Sequence, residues 1–122
     1  MNPRVKLLKR LNGVKVWLVD GGKVRDSLSI DFSLGGHDLV YKYIPKGEIW
    51  VENHLSSVEQ KKILLHEIHE RNLMALDNSY KKAHGESNIF EAVSRSAPEG
   101  INYLLKQEFD INKRIQKLKD VV

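Results

Sequence analysis

The sequence predicts an α+β fold: a small antiparallel sheet from the N-terminal half, packed against three helices from the C-terminal half. Three observations predict it. Residues 14–52 hold short runs rich in β-branched and aromatic residues, punctuated by Gly, Pro and Asp. From Val58 onward the apolar residues recur at helical spacing instead. No repeat, low-complexity tract or linker interrupts the 122 residues, which therefore read as a single domain over 1–122.

The first strand expected is Val14-Lys15-Val16-Trp17-Leu18-Val19, which alternates in part. Asp20-Gly21-Gly22 follows as a turn signal, with the chain resuming at Lys23-Val24. Ser29 to Phe32 is a second extended candidate, closed by Gly35-Gly36. Residues 39–44 make a third, with Pro45-Lys46-Gly47 as its turn, and Glu48–Glu52 a fourth. The composition then changes. Ser56 or Ser57 can cap a helix, with Glu59 or Gln60 three residues later as a capping box requires. That helix runs from Val58 to about Leu76, where Asp77-Asn78 breaks it. A second is expected over Tyr80 to Arg95, and Pro98 suits the first turn of a third. In the third, Ile101, Leu104, Leu105, Ile111, Ile115 and Leu118 fall near one stripe.

Composition narrows the chemistry. Cysteine is absent, so any metal must be held by histidine, carboxylate or carbonyl groups, which suit zinc, manganese, iron or magnesium. No apolar run approaches the roughly 18–20 residues that span a bilayer. The opening residues, Met1 to Lys6, lack the pattern of a secretory signal, so the expectation is a cytoplasmic protein with no membrane partner. The net charge is +4, with 20 basic residues against 16 acidic ones. The densest basic segments are the two ends: Arg4, Lys6, Lys9 and Arg10, then Lys113, Arg114, Lys117 and Lys119. They could attract nucleic acid, and solvated faces explain them equally well.

The most informative stretch is His66-Glu67-Ile68-His69-Glu70 on the first long helix. Residues four apart share a helix face, so His66 and Glu70 project together, with His69 between their directions. Leu64, Leu65 and Ile68 point the other way, toward the main core. Yet Ile63, Leu73 and Met74 add apolar residues on the His66 side, so the helix is expected to be buried on more than one face. Buried imidazoles and carboxylates must be paired or bound to a metal. One reading makes His66 and Glu70 metal ligands, with Glu67 beside the ion as a base for water. The other is a buried hydrogen-bond network. The second helix adds His84, Glu86 and Glu91; His84 and Glu91 lie two turns apart on one face and could complete a site.

At this point the segment from Glu48 to about Pro98 resembles a compact gluzincin-type zinc metallopeptidase core. The strand Ile49-Trp50-Val51-Glu52-Asn53 leads into Leu64-Leu65-His66-Glu67, and Glu86 to Ala92 looks like the third-ligand helix. The segment also resembles small phage and prokaryotic proteins with a His-Glu-x-x-Glu helix followed by Ala-His and a glutamate; Ala83-His84 and Glu91 match that pattern better. The chain departs from zincins at Glu70, which stands where they have a second histidine. The resemblance implies zinc or another divalent metal held by His66, Glu70 and either His84 or Glu91. It implies Glu67 as the base, and hydrolysis of a peptide or protein substrate lying along strand 48–53. The alternatives are a non-catalytic phage or prokaryotic regulatory protein on the same scaffold, or a basic nucleic-acid-binding module. Of the remaining residues, Gly35-Gly36-His37-Asp38 reads as a turn, or as a loop bringing His37 to a site. His54 reads as a surface residue, and Trp17 and Trp50 as sheet packing.

Overall fold

The computed structural model describes residues 2–76 and 100–121. Its elements are β1 (Arg4–Leu11), β2 (Val14–Val19), α1 (Gly21–Ser27), β3 (Gly35–His37), β4 (Glu48–Glu52), α2 (Ser57–Ala75) and α3 (Ile101–Val121). The fold class is α+β, with a four-stranded sheet in the order β1-β2-β4-β3. The helix expected over 80–95 lies outside the described residues.

The sheet is mixed. β1 pairs β2 and β3 pairs β4 antiparallel, but β2 runs parallel to β4, with Val16 opposite Ile49 and Leu18 opposite Val51. A parallel pair needs a long crossover, and the chain between Val19 and Glu48 supplies it through α1 and β3. Alternation sorts the side chains to two faces. Val14, Val16, Leu18, Ile49 and Val51 pack on α2 and α3 through Ile63, Leu64, Leu65, Ile68, Ile101 and Leu105. Val19 and Trp50 point the other way and are covered by Val24, Phe32 and Ile44.

Several local expectations are corrected. Asp20-Gly21-Gly22 is not a hairpin turn but the start of α1: Asp20 caps it, accepting from Lys23 N at 3.2 Å. Gly21 lets the Glu52 carboxylate approach the helix start, where a Cβ would displace Glu52 Oε2. Residues 29–32 and 39–44 form no strand. The second run is folded into successive turns, with Tyr41 N donating to His37 O and Ile44 N to Tyr41 O, each at 3.1 Å. Its apolar residues are used as a cover: Ile44, Tyr41 and Tyr43 pack on Trp50, so burial overrides β propensity. Conversely, Gly35-Gly36-His37 is strand rather than turn. β1, which the alternation did not reveal, has register shifts between Arg4 and Lys6 and between Leu7 and Lys9. Each shift adds a residue and erases the period-two pattern. β4 lies between β2 and β3, so its edge is not free for a substrate strand.

Helix α2 begins where expected. Ser56 is the N-cap, its hydroxyl accepting from Glu59 N at 3.2 Å. Its buried residues run almost unbroken from Lys62 to Asn72, as expected of a helix packed on more than one side. Among the described residues, no helix is long and apolar enough to cross a membrane.

Candidate metal centre

β3 approaches α2 closely because its first residue has no side chain. A Cβ at Gly35 would fall 2.6 Å from Ile63 Cγ2 and 3.2 Å from Glu67 Cγ. Two residues on, His37 is fully buried and meets the polar residues of α2. One ligand atom each from His37, Glu67 and Glu70 lies within 4.8 Å of the others. His37 Nε2 is 2.8 Å from Glu70 Oε1, and His66 Nε2 is 3.5 Å from Glu70 Oε2. Glu70 thus stands between two imidazoles, with the Glu67 carboxylate beside it. All four side chains are buried.

The His37 ring has a defined tautomer. The Leu39 N–H donates to Nδ1 at 3.3 Å, so the proton sits on Nε2, which donates to Glu70 Oε1. In that state His37 orients the carboxylate. To ligate an ion through Nε2 it would have to move its proton to Nδ1 and lose the Leu39 contact. The arrangement suits the role of an outer partner that fixes a ligand.

The next two residues anchor the same strand end. Arg71 Nε donates to Asp38 Oδ1 at 2.7 Å, and Asp38 Oδ2 accepts from Gly47 N at 2.7 Å. Burial pushes the Asp38 carboxyl up, but the hydrogen bonds from Arg71 and Gly47 and the nearby Arg71 charge outweigh it and hold it below its usual value. Tyr43 stacks on Trp50 with ring centroids 5.9 Å apart. Burial raises its phenol far above the usual range, with Tyr41, Asp31 and Glu67 adding to the effect.

The donor set fits a divalent ion of intermediate hardness. The carboxylates of Glu67 and Glu70 lie together, His66 Nε2 is 3.5 Å from Glu70, His37 supports Glu70 from outside, and the guanidinium of Arg71 is bound to Asp38. A tetrahedral zinc site with bonds of 2.0–2.1 Å has ligand–ligand edges of roughly 3.3 Å, close to the His66–Glu70 separation of 3.5 Å.

Of the residues singled out in the sequence, His66, Glu67 and Glu70 are brought together. His84, Glu86 and Glu91 lie outside the described residues. His69 is turned toward α3, its Nδ1 3.1 Å from Glu108 Oε2. His54 is at the surface and pairs with Glu52 at 2.7 Å. His37 is the member that spacing on α2 could not supply. Its signal was the Gly35-Gly36 pair, which marks a close approach of backbone to helix rather than a turn. No family model, curated protein or solved structure matches the chain, so the zincin resemblance rests on its motif residues alone.

Proposed function

We propose that this protein is a metal-dependent hydrolase of zincin-like build, acting on a peptide or amide bond. The observation that supports the reading is that His37, Glu67 and Glu70 offer ligand atoms within 4.8 Å of one another, with His66 Nε2 3.5 Å from Glu70 Oε2. His66 and Glu70 would hold zinc or another divalent ion, and His84 or Glu91 would complete the set. When bound, such an ion acts as a Lewis acid and lowers the pKa of a coordinated water toward about 7. Glu67 accepts the proton of the attacking water and returns it to the leaving amine. His37 keeps Glu70 in position through its Nε2–H. Because β4 is paired on both sides, an extended substrate would lie along β3, which pairs only with β4 among the described residues.

The burial of all four side chains favours a second reading. In it, a non-catalytic regulatory protein of phage or prokaryotic type keeps the metal site without turnover. One experiment separates them. Protein purified without a histidine tag is assayed for bound metal, then for cleavage of a casein substrate, as wild type and as Glu67→Gln. The hydrolase reading expects stoichiometric metal in both and a fall in turnover of roughly 10²–10⁴-fold in the variant. Loss of metal from Glu67→Gln would make Glu67 a ligand and remove it as the base. Metal without cleavage by the wild type supports the non-catalytic reading.

A further inference from the structure

The two basic ends of the sequence meet on one side of the fold. α3 packs against β1, with Lys9 Nζ 4.5 Å from the centroid of the Phe109 ring. Asn112 Nδ2 donates to Asn12 O at 3.1 Å, closing the helix onto the β1–β2 turn. Beneath the overhanging β1 runs a groove of about 460 Å³, within the range of ligand-binding clefts. Leu8, Leu64, Leu105 and Phe109 line it, and Lys9, Lys61 and Lys106 stand along it with exposed side chains. Among the described residues no carboxylate lines the groove, and none of the eight residues of β1 is acidic. The neighbouring cleft on α3 differs: there Lys106 and Arg114 are interleaved with Glu108 and Asp110. Three lysines, one each from β1, α2 and α3, therefore stand around one apolar groove with no acidic residue among its described lining.

We propose that this groove docks an acidic amphipathic helix of a partner protein. Its chemistry selects that occupant by complementarity of two kinds. The lysines call for carboxylates flanking the contact, and the exposed Leu8 and partly buried Phe109, set over the core residues Leu64 and Leu105, call for an apolar stripe between them. A nucleic acid would satisfy the lysines and leave the apolar floor bare. An added β-strand is disfavoured on the outer edge of β1, because the two register shifts bend it and lysine side chains guard it. A helix laid in the groove needs no main-chain pairing.

The test uses a fluorescein-labelled helical peptide of about 16 residues, four to five turns, with leucines on one stripe and glutamates elsewhere. Three further probes are matched to it: one with the glutamates replaced by lysine, one with the leucines replaced by serine, and a single-stranded oligonucleotide. The leucine–glutamate peptide should bind at least about 10-fold more tightly than any of the three. The triple variant Lys9→Glu, Lys61→Glu, Lys106→Glu should weaken it by about 10-fold or more, with an unchanged circular dichroism spectrum because these side chains are exposed. Leu8→Ser, at a partly exposed floor position, should weaken it independently of salt. Absence of binding by the leucine–glutamate peptide overturns the proposal. So does equal binding by the triple variant, or tighter binding of the oligonucleotide.

Discussion

On the β3 side of α2, His66, Glu67 and Glu70 meet His37; on the α3 side, one turn round the same helix, His69 and Asn72 meet Glu108. The residue types are nearly the same, and the balance is opposite. On the α3 side a single carboxylate accepts from an amide and has an imidazole beside it. Asn72 Nδ2 reaches Glu108 O at 3.0 Å and Glu108 Oε1 at 3.1 Å, while His69 lies against Oε2. This is a polar clasp between two helices, of the kind that fixes how they pack. On the β3 side the carboxylates of Glu67 and Glu70 converge with imidazoles, while Arg71 on the same helix is bound to Asp38. The two clusters share residue types and differ in how many carboxylates each gathers: Glu67 and Glu70 on one side, Glu108 alone on the other.

The sharpest way to break this comparison is to neutralise one carboxylate in each cluster. Glu70→Gln should weaken zinc binding, followed by calorimetric titration of metal-free protein, by more than about 100-fold, beyond the 10–100-fold range of an outer partner. His37→Gln, which keeps an N–H donor for Glu70, should stay near the wild-type affinity. Glu108→Gln should change zinc affinity by less than about twofold, in keeping with distant independent sites. Equal losses from Glu70→Gln and Glu108→Gln would erase the distinction between the two sides.

Stability should respond the other way round. Asn72→Ala removes the amide that serves Glu108 and leaves a buried carboxylate short of a donor, at a cost of about 2 kcal/mol in urea unfolding. Zinc affinity should hold. A variant that loses metal without losing stability would place Asn72 in the wrong cluster.

The smallest effect comes from a third His–Glu pair, His54 with Glu52, which serves as the exposed reference. The hydrogen bond and charge of Glu52 raise the His54 pKa above its ordinary 6.5. Because the folded value is the higher one, the pair's contribution is fully present below pH 6.5 and is lost as pH rises through the folded value. An NMR titration of His54 should show the raised midpoint, and Glu52→Gln should return it toward that of a free imidazole.

These contrasts also mark what the sequence could disclose. β2, β4 and α2 were legible because each obeys its own period and carries its own boundary signal, such as the Ser56 cap. His66 and Glu70 were legible for the same reason, since one helix supplies both. What failed was everything set by contact between distant segments. The bulges of β1 hid its alternation, and Trp50 drew residues 39–44 into turns although their propensity is for strand. His37 reached the site from a strand whose glycines resemble a turn until the helix beside them is known. The parallel β2–β4 pairing has no local signature at all.

The contact between Asn112 and Asn12 joins residues 100 positions apart, and Ile101 and Leu105 close the same core that Val14 and Val16 open. On the ribosome, then, the early strands emerge well before the helix that covers them. Until α3 leaves the exit tunnel, the face of β2 that carries Val14, Val16 and Leu18 is only partly shielded. This is the exposure that invites holding by chaperones. A translation rate slowed between residues 76 and 100 would lengthen that interval, and a rate slowed after α3 would not.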